Sequence, residues 1–260
     1  MSAEEAAEEN LVTHMTWVQS RLAGGRVSAS DELVLSDSGI PSDTFNFVCR
    51  ARLSGDPAPA IARVTEYFAS VKRPFSWWVG PADRPATLGQ ALLDAGFAAA
   101  ESDLAMAADL AALPPAGPVP EGLRIERATT VAHLADYARV VAANWDPPDP
   151  NVSTFYRLAA PILRAHDCPI RLYVGYLGET PVATAELTVS GSAVGLYGVA
   201  TLVSHRRRGF GTALTLRPLL DAREEGHALA VLQASTDGRP VYARLGFKET
   251  GHYTEYQLPR

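Results

Sequence analysis

The stretch from residue 193 to 226 constrains the fold more than any other. A charge-free run rich in β-branched residues, "AVGLYGVATLV", passes through "SHRRRGFG" into "TALTLRPLLDAREEG". The first part reads as a buried strand and the last as a helix, so a glycine-bearing turn delivers a strand into a helix start. Chains that make this connection pack helices on a sheet. The first N–H groups of such a helix have no intrahelical partner, and glycines let an anion approach them closely. The helix dipole adds ~0.3–1 kcal/mol near the surface, and arginine side chains close over the outside. Arg206 to Gly211 are therefore expected to hold a phosphate or pyrophosphate. A P-loop would need a Gly-Lys-Ser/Thr ending, and a dinucleotide fingerprint opening at Gly209 would need glycine at 214, where Leu214 stands. Neither nucleotide fold is favoured.

The arginine cluster acts locally. Across 260 residues, 23 Lys and Arg face 29 Asp and Glu, a net charge of −6 that argues against general binding to nucleic acid or an anionic membrane surface. Cys49 and Cys168 stand far apart with no Cys or His at ligand spacing, and the six histidines are scattered, so neither a metal site nor a disulfide framework is expected. His205 reads as a strand-end residue. The acidic start "MSAEEAAEEN" lacks the basic and apolar regions of a secretory signal; it is expected to fray, and the protein to be cytoplasmic, a monomer or homodimer.

Four prolines in "AALPPAGPVPEG" mark a linker at 113–122, which divides the chain into units at 1–112 and 123–260. After it the pattern predicts strand, helix, proline-interrupted helix, three strands, helix, strand, helix, strand: a mixed α/β sheet with helices on both faces. Pro218 is expected to kink the helix after the arginine turn. The first unit ends alike. "FSWWVGP", "ATLGQALLDAGF" and "ESDLAMAADL" repeat the closing order of the second, and Gly96-Phe97 precede Gly246-Phe247 by 150 residues, so a diverged duplication is expected. "FNFVCRARL" reads as a strand of that unit but enters "SGDPAPAIARVTEYF", which has no arginine-glycine turn. Trp77 and Trp78 alternate on a strand, one toward the core and the other toward a helix layer or the second unit.

The pattern at Arg206 to Gly211 resembles the pyrophosphate loop of the GNAT acyltransferase superfamily, Gln/Arg-x-x-Gly-x-Gly/Ala between a central strand and a helix. "RPVYARLGF" is similar to that family's Tyr-x-x-x-Gly-Phe segment at Tyr242 to Phe247. The resemblance covers residues 123 to 260 and reaches the first unit only by its tail. It implies two GNAT-like domains in tandem, the first degenerate, and acetyl-CoA as acyl donor without a metal. Pantetheine would lie along the strand edge at Val199, Ala200 and Thr201, where two central strands part. The pyrophosphate would fall on Arg207, Arg208, Gly209, Phe210, Gly211 and Thr212, beside Arg206. Ser235 stands where the family often has asparagine.

Acyl transfer to an amine needs a neutral amine, stabilisation of an oxyanion and a proton for the departing thiolate. Tyr242 matches the family's acid. The neighbouring strands "AVGLYGVATLV" and "ALAVLQAS" carry no carboxylate, so Glu186 on "PVATAELTVS" is the candidate base, set against an ordinary solvent-facing strand residue. "NWDPPDPN" falls where the family's acceptor-binding elements lie, which makes Trp145 and Tyr197 candidates for the pocket of a small-molecule amine. The expected activity is N-acetyltransfer by direct attack in a ternary complex. The absent strand carboxylates leave a non-catalytic acyl-CoA-binding module as the alternative, and a hydroxyl acceptor or longer acyl donor also open.

Overall fold

The computed structural model describes residues 2–115 and 117–259. Met1, Arg260 and Ala116, the last within the expected linker, lie outside the described residues.

The acidic start does not fray. It forms helix α1 (Ala3–Thr16), opened by a capping box between Ser2 and Glu5 and buried on one side at Ala6, Ala7, Asn10, Leu11 and Met15. Two alanines and an asparagine make up three of those five residues, so its apolar periodicity is faint in sequence. Strands β1 (Arg26–Ala29) and β2 (Val34–Asp37), which the sequence pattern does not announce, lead to β3 (Phe47–Cys49), α2 (Ala58–Ser70), β4 (Ser76–Val79), α3 (Leu88–Asp94) and β5 (Ala98–Asp109).

The second unit follows the expected order: β6 (Leu123–Arg127), α4 (Val131–Ala142), α5 (Pro150–Leu163), β7 (Ile170–Leu177), β8 (Thr180–Ser190), β9 (Ala193–Thr201), α6 (Phe210–Glu224), β10 (Leu229–Ala234), α7 (Arg239–Arg244) and β11 (Lys248–Gln257). Pro161 interrupts nothing, because it sits in the last turn of α5, and α6 runs on through a buried Pro218. Each proline removes one backbone bond. Burial of Phe210, Leu214 and Leu219 holds α6 to the sheet regardless.

Among the described residues the strands form one sheet in the order β1-β2-β3-β4-β11-β5-β10-β9-β8-β7-β6. The two units trade their last strands: β11 lies against β4 of the first unit, and β5 lies against β10 of the second. At the centre β5 and β11 pair antiparallel, Ala98 opposite Gln257 and Ala107 opposite Lys248. Moved on by 150 residues, Ala98 falls on Lys248 and Ala107 on Gln257, so the register obeys a two-fold relation between the repeats. Both copies end their helix alike: Gly96 and Gly246 take φ of 90° and 94°, a left-handed cap that favours glycine. The parallel pairs β3–β4 and β9–β10 correspond in the same way.

Alternation along the strands sorts the helices. Trp77 is buried with the side chains of α2 and α3, while Trp78 packs on the opposite face with Leu11 and Met15 of α1. In the second unit Val194 and Leu196 face α6, and Leu172, Val174 and Tyr176 face α4 and α5. Cys49 and Cys168 are both free thiols, Cys49 buried.

In the first unit an ionic cluster lies beside β3 and β4. Arg52 bonds Glu8 of α1 at 2.5 Å and Asp83 at 3.0 Å, and Asp83 also accepts from the Gly80 N–H. Burial raises the Asp83 carboxyl to about 6 despite these bonds. A raised carboxylate binds its proton more readily folded than unfolded, so this group's contribution to stability is fully present below about pH 4 and is lost as pH rises through about 6. Carboxyl NMR should show Asp83 titrating near 6, and Asp83→Asn should remove that part of the pH slope in denaturation midpoints; an ordinary titration near 4 would refute the assignment.

Candidate active site

Strands β9 and β10 pair over Ala193–Gly195 against Leu229–Val231 and then part. Beyond that point β9 stays bonded to β8, Thr184 opposite Ala200 and Ala183 opposite Thr201, which leaves its other edge facing an open wedge. The register slips between Thr184 and Glu186, and there Gly198 takes φ of 55° while its carbonyl accepts from the Thr184 hydroxyl at 2.9 Å. A side chain at Gly198 would overlap the Tyr137 hydroxyl. Glycine therefore lets the strand bulge at the mouth of the wedge.

The arginine turn closes the wedge at its far end. Arg207 and Gly209 have φ of 63° and 82° and Arg206 is extended, a left-handed backbone of the kind that forms an anion-binding concavity of N–H groups at a helix start. Nothing but the Pro120 ring, at 3.4 Å, approaches the place of a Cβ on Gly209, and Gly211 has similar room. A cleft of about 690 Å³ runs between this turn and α7. Val199, Ala200, Thr201, Arg206, Arg207, Gly209, Phe210, Gly211, Thr212, Ser235 and Tyr242 all line it. Arg208 instead lies over the Phe210 ring, 4.8 Å from its centroid. Ser235 accepts from the Gly238 N–H at 3.2 Å and so shapes the turn into α7. Arg244 and His205 add to the basic lining, and Asn144 reaches it from beyond the end of α4; Arg244 and Asn144 lie within "RPVYARLGF" and "NWDPPDPN" but at positions that neither pattern marks.

Tyr242 stands on α7 with its ring edge-on to Phe247 at 5.9 Å. Burial, with a smaller push from the Asp103 carboxylate, raises its hydroxyl to about 12. It is therefore protonated throughout the neutral range and suited to donating.

Glu186 belongs to a second, smaller cavity on the α4–α5 face of β8 and β9. It is 5% exposed, not a solvent-facing strand residue, and its Oε1 lies 2.6 Å from Nδ1 of His14, delivered by α1. Sequence reasoning missed His14, because nothing in "VTHMTW" distinguishes it from a surface histidine. Tyr197 does not line that cavity; it is stacked behind His14, ring centroids 3.9 Å apart, and donates to Asn10 Oδ1 at 2.9 Å. Trp145 is 40% exposed on the turn between α4 and α5 and lines neither cavity, since the chain turns it outward after Asn144.

The first unit lacks the equivalent parts. Leu92, fully buried, stands 150 residues before Tyr242, and α2 starts at a right-handed Pro57 after a single left-handed glycine, Gly55, with no Arg-x-x-Gly-x-Gly run. Among the described residues no group of three or more His, Cys, Asp or Glu is placed to hold a metal ion, and no helix is long and apolar enough to cross a membrane.

Comparison with known proteins shows what this arrangement is similar to. Residues 171–250 match the acetyltransferase (GNAT) domain. A GCN5-related N-acetyltransferase from Kribbella flavida superposes over 99% of this chain and 96% of its own, with a TM-score of 0.74 at 20% identity. The tandem GNAT protein of the clavulanic acid biosynthesis pathway covers 100% of this chain and 98% of its own, with a TM-score of 0.63 at 14% identity. A GCN5-related N-acetyltransferase from Sphaerobacter thermophilus covers 90% and 82%, with a TM-score of 0.60 at 17% identity. Residues 171–250 are thus similar to the acetyltransferase (GNAT) domain, and the fold is shared along the length of the chain with a GCN5-related N-acetyltransferase and with a tandem GNAT protein.

Proposed function

We propose that the chain is an acetyl-CoA-dependent N-acetyltransferase that moves the acetyl group to a small-molecule amine by direct attack in a ternary complex. The observation that carries this reading is one cleft lined by the glycine-arginine turn, the unpaired edge of β9 and Tyr242 together. Acetyl-CoA supplies, when bound, a thioester carbonyl open to attack. Arg206, Arg207 and the N–H groups from Arg207 to Thr212 would hold its diphosphate, and the backbone of Val199, Ala200 and Thr201 its pantetheine arm. A β9 N–H would polarise the carbonyl oxygen. The Tyr242 hydroxyl would donate to the departing sulfur.

The units we assign are 1–112 and 123–260, joined by 113–122, with only the second binding coenzyme. Leu92 in place of a tyrosine and the absence of an Arg-x-x-Gly-x-Gly run before α2 support one site per chain. Calorimetric titration of acetyl-CoA into the full chain should therefore give a stoichiometry of one. Two sites would mean that the first unit binds coenzyme by other contacts, and no binding by a folded chain would overturn the reading. Turnover of no amine at all, with binding intact, would favour a non-catalytic acyl-CoA-binding module.

A further inference from the structure

The smaller cavity, about 170 Å³, has a polar end and an apolar end. His14, Glu186 and Tyr137 form the first; Phe45 and Phe155, stacked at 3.9 Å, wall the second with Tyr156. Gly198 lines this cavity and Val199, the next residue of β9, lines the coenzyme cleft, so one peptide unit of β9 borders both spaces.

His14 is held there by a built network. Asn10, fully buried one turn earlier on α1, donates through Nδ2 to the carbonyls of Thr188 and Ala193 at 2.9 and 3.1 Å, and its Oδ1 accepts from Tyr197. Tyr197 in turn stacks on the His14 ring with an interplanar angle of 8°. Gly195 makes the docking possible, since a side chain there would overlap Asn10 and Tyr197. Glu186 Oε1 receives His14 Nδ1 at 2.6 Å and the Thr188 hydroxyl at 3.2 Å. A carboxylate can only accept, so Nδ1 carries the proton, and in the neutral imidazole Nε2 is the nitrogen with the free lone pair.

Building on the acetyltransferase reading above, we propose that His14 is the catalytic base, with Glu186 its positioning residue, and that the acceptor is a primary amine bearing one benzene-sized aromatic group. An apolar cavity of about 150 Å³ holds a single benzene ring. The aromatic end takes the ring, and the amine is left at the dyad beside Gly198. In the transfer step the neutral amine nitrogen forms the N–C bond as the C–S bond breaks. The amine proton passes to His14 Nε2, and the thiolate takes a proton from Tyr242; solvent returns one to Tyr242 and removes one from His14. The degenerate unit thereby supplies a reacting group to the site of the other.

The ionisable groups facing His14 are Glu186 from β8, Tyr197 from β9 and, across the cavity, Tyr137 from α4 and Tyr156 from α5. Burial pushes all three tyrosines upward, so they stay protonated in the neutral range.

The test is steady-state acetylation by the full chain with 2-phenylethylamine, glucosamine and spermidine. 2-Phenylethylamine should exceed both others in kcat/KM by at least about tenfold. His14→Gln should lower kcat by ~10²-fold or more, change KM for acetyl-CoA less than about threefold, and abolish the acidic limb of the pH–kcat profile. Glu186→Gln, which still accepts from Nδ1, should keep more activity than Glu186→Ala. Val141→Phe, which enlarges a side chain lining the cavity, should stop acetylation of 2-phenylethylamine while calorimetry still shows acetyl-CoA binding. Wild-type kcat and an unchanged acidic limb in His14→Gln would overturn the base. A preference for glucosamine or spermidine, or coenzyme binding without turnover of any of the three amines, would overturn the acceptor class. Failure of the folded wild type to bind acetyl-CoA would instead overturn the acetyltransferase reading itself.

Discussion

Tyr242→Phe is expected to lower kcat by ~10²–10⁴-fold while acetyl-CoA affinity stays within about threefold. The hydroxyl is the only atom removed, and the ring keeps its place against Phe247 and Gly238. At about 12 the tyrosine remains protonated from acid to mildly alkaline pH, so the loss should be nearly uniform between pH 6 and 9 rather than confined to one limb. Burial is the larger cause of that raised value and the Asp103 carboxylate the smaller. Asp103→Asn should accordingly leave most of the activity in place. Rapid-quench turnover with saturating coenzyme separates the chemical step from binding. If Tyr242→Phe turns over like the wild type, the residue is a packing element of α7 and the proton comes from elsewhere.

The second large effect is expected at Gly209. Its φ of 82° lies in the left-handed region, where a side chain costs about 1–2 kcal/mol and a β-branched one more. Gly209→Val should therefore pull the turn toward extended backbone and scatter the N–H groups at the start of α6. Acetyl-CoA affinity should fall at least about tenfold, corresponding to roughly 1.4 kcal/mol. The fold should survive, because Phe210, Leu214 and Leu219 still bury one face of α6 and the space around Gly209 is open. Calorimetry reads the affinity and a thermal melt the stability. Unchanged affinity in a folded variant would detach the arginine turn from coenzyme binding.

Both effects are local, yet the site they belong to is assembled from distant parts of the chain. The arginine turn, the bulge at Gly198 and Tyr242 come from one unit, whereas His14 arrives from the first helix of the other. That helix was unreadable in sequence because its buried stripe is carried by small and polar residues rather than large apolar ones. β1 and β2 were hidden for a related reason: β1 lies at a sheet edge, mostly exposed, and β2 is only four residues long, with Ser36 and Asp37 buried through polar contacts. Glu186 was visible as the lone carboxylate on its strand, but its environment was not, because the partner that buries it lies 172 residues away.

The sequence by itself determined what depends on near neighbours in the chain. The order of strands and helices in the second unit follows from hydrophobic period, the left-handed turn at Gly209 from glycine's freedom, and the duplicated Gly-Phe ends from a 150-residue repeat. Tertiary structure alone decided the exchange of β5 and β11, the parting of β9 from β10, and the docking of Asn10 and His14 on β8 and β9. These depend on pairings and contacts between residues far apart in sequence, whose preference emerges only when both partners are buried together. A period-two strand states which face is apolar, but not which neighbour it will join.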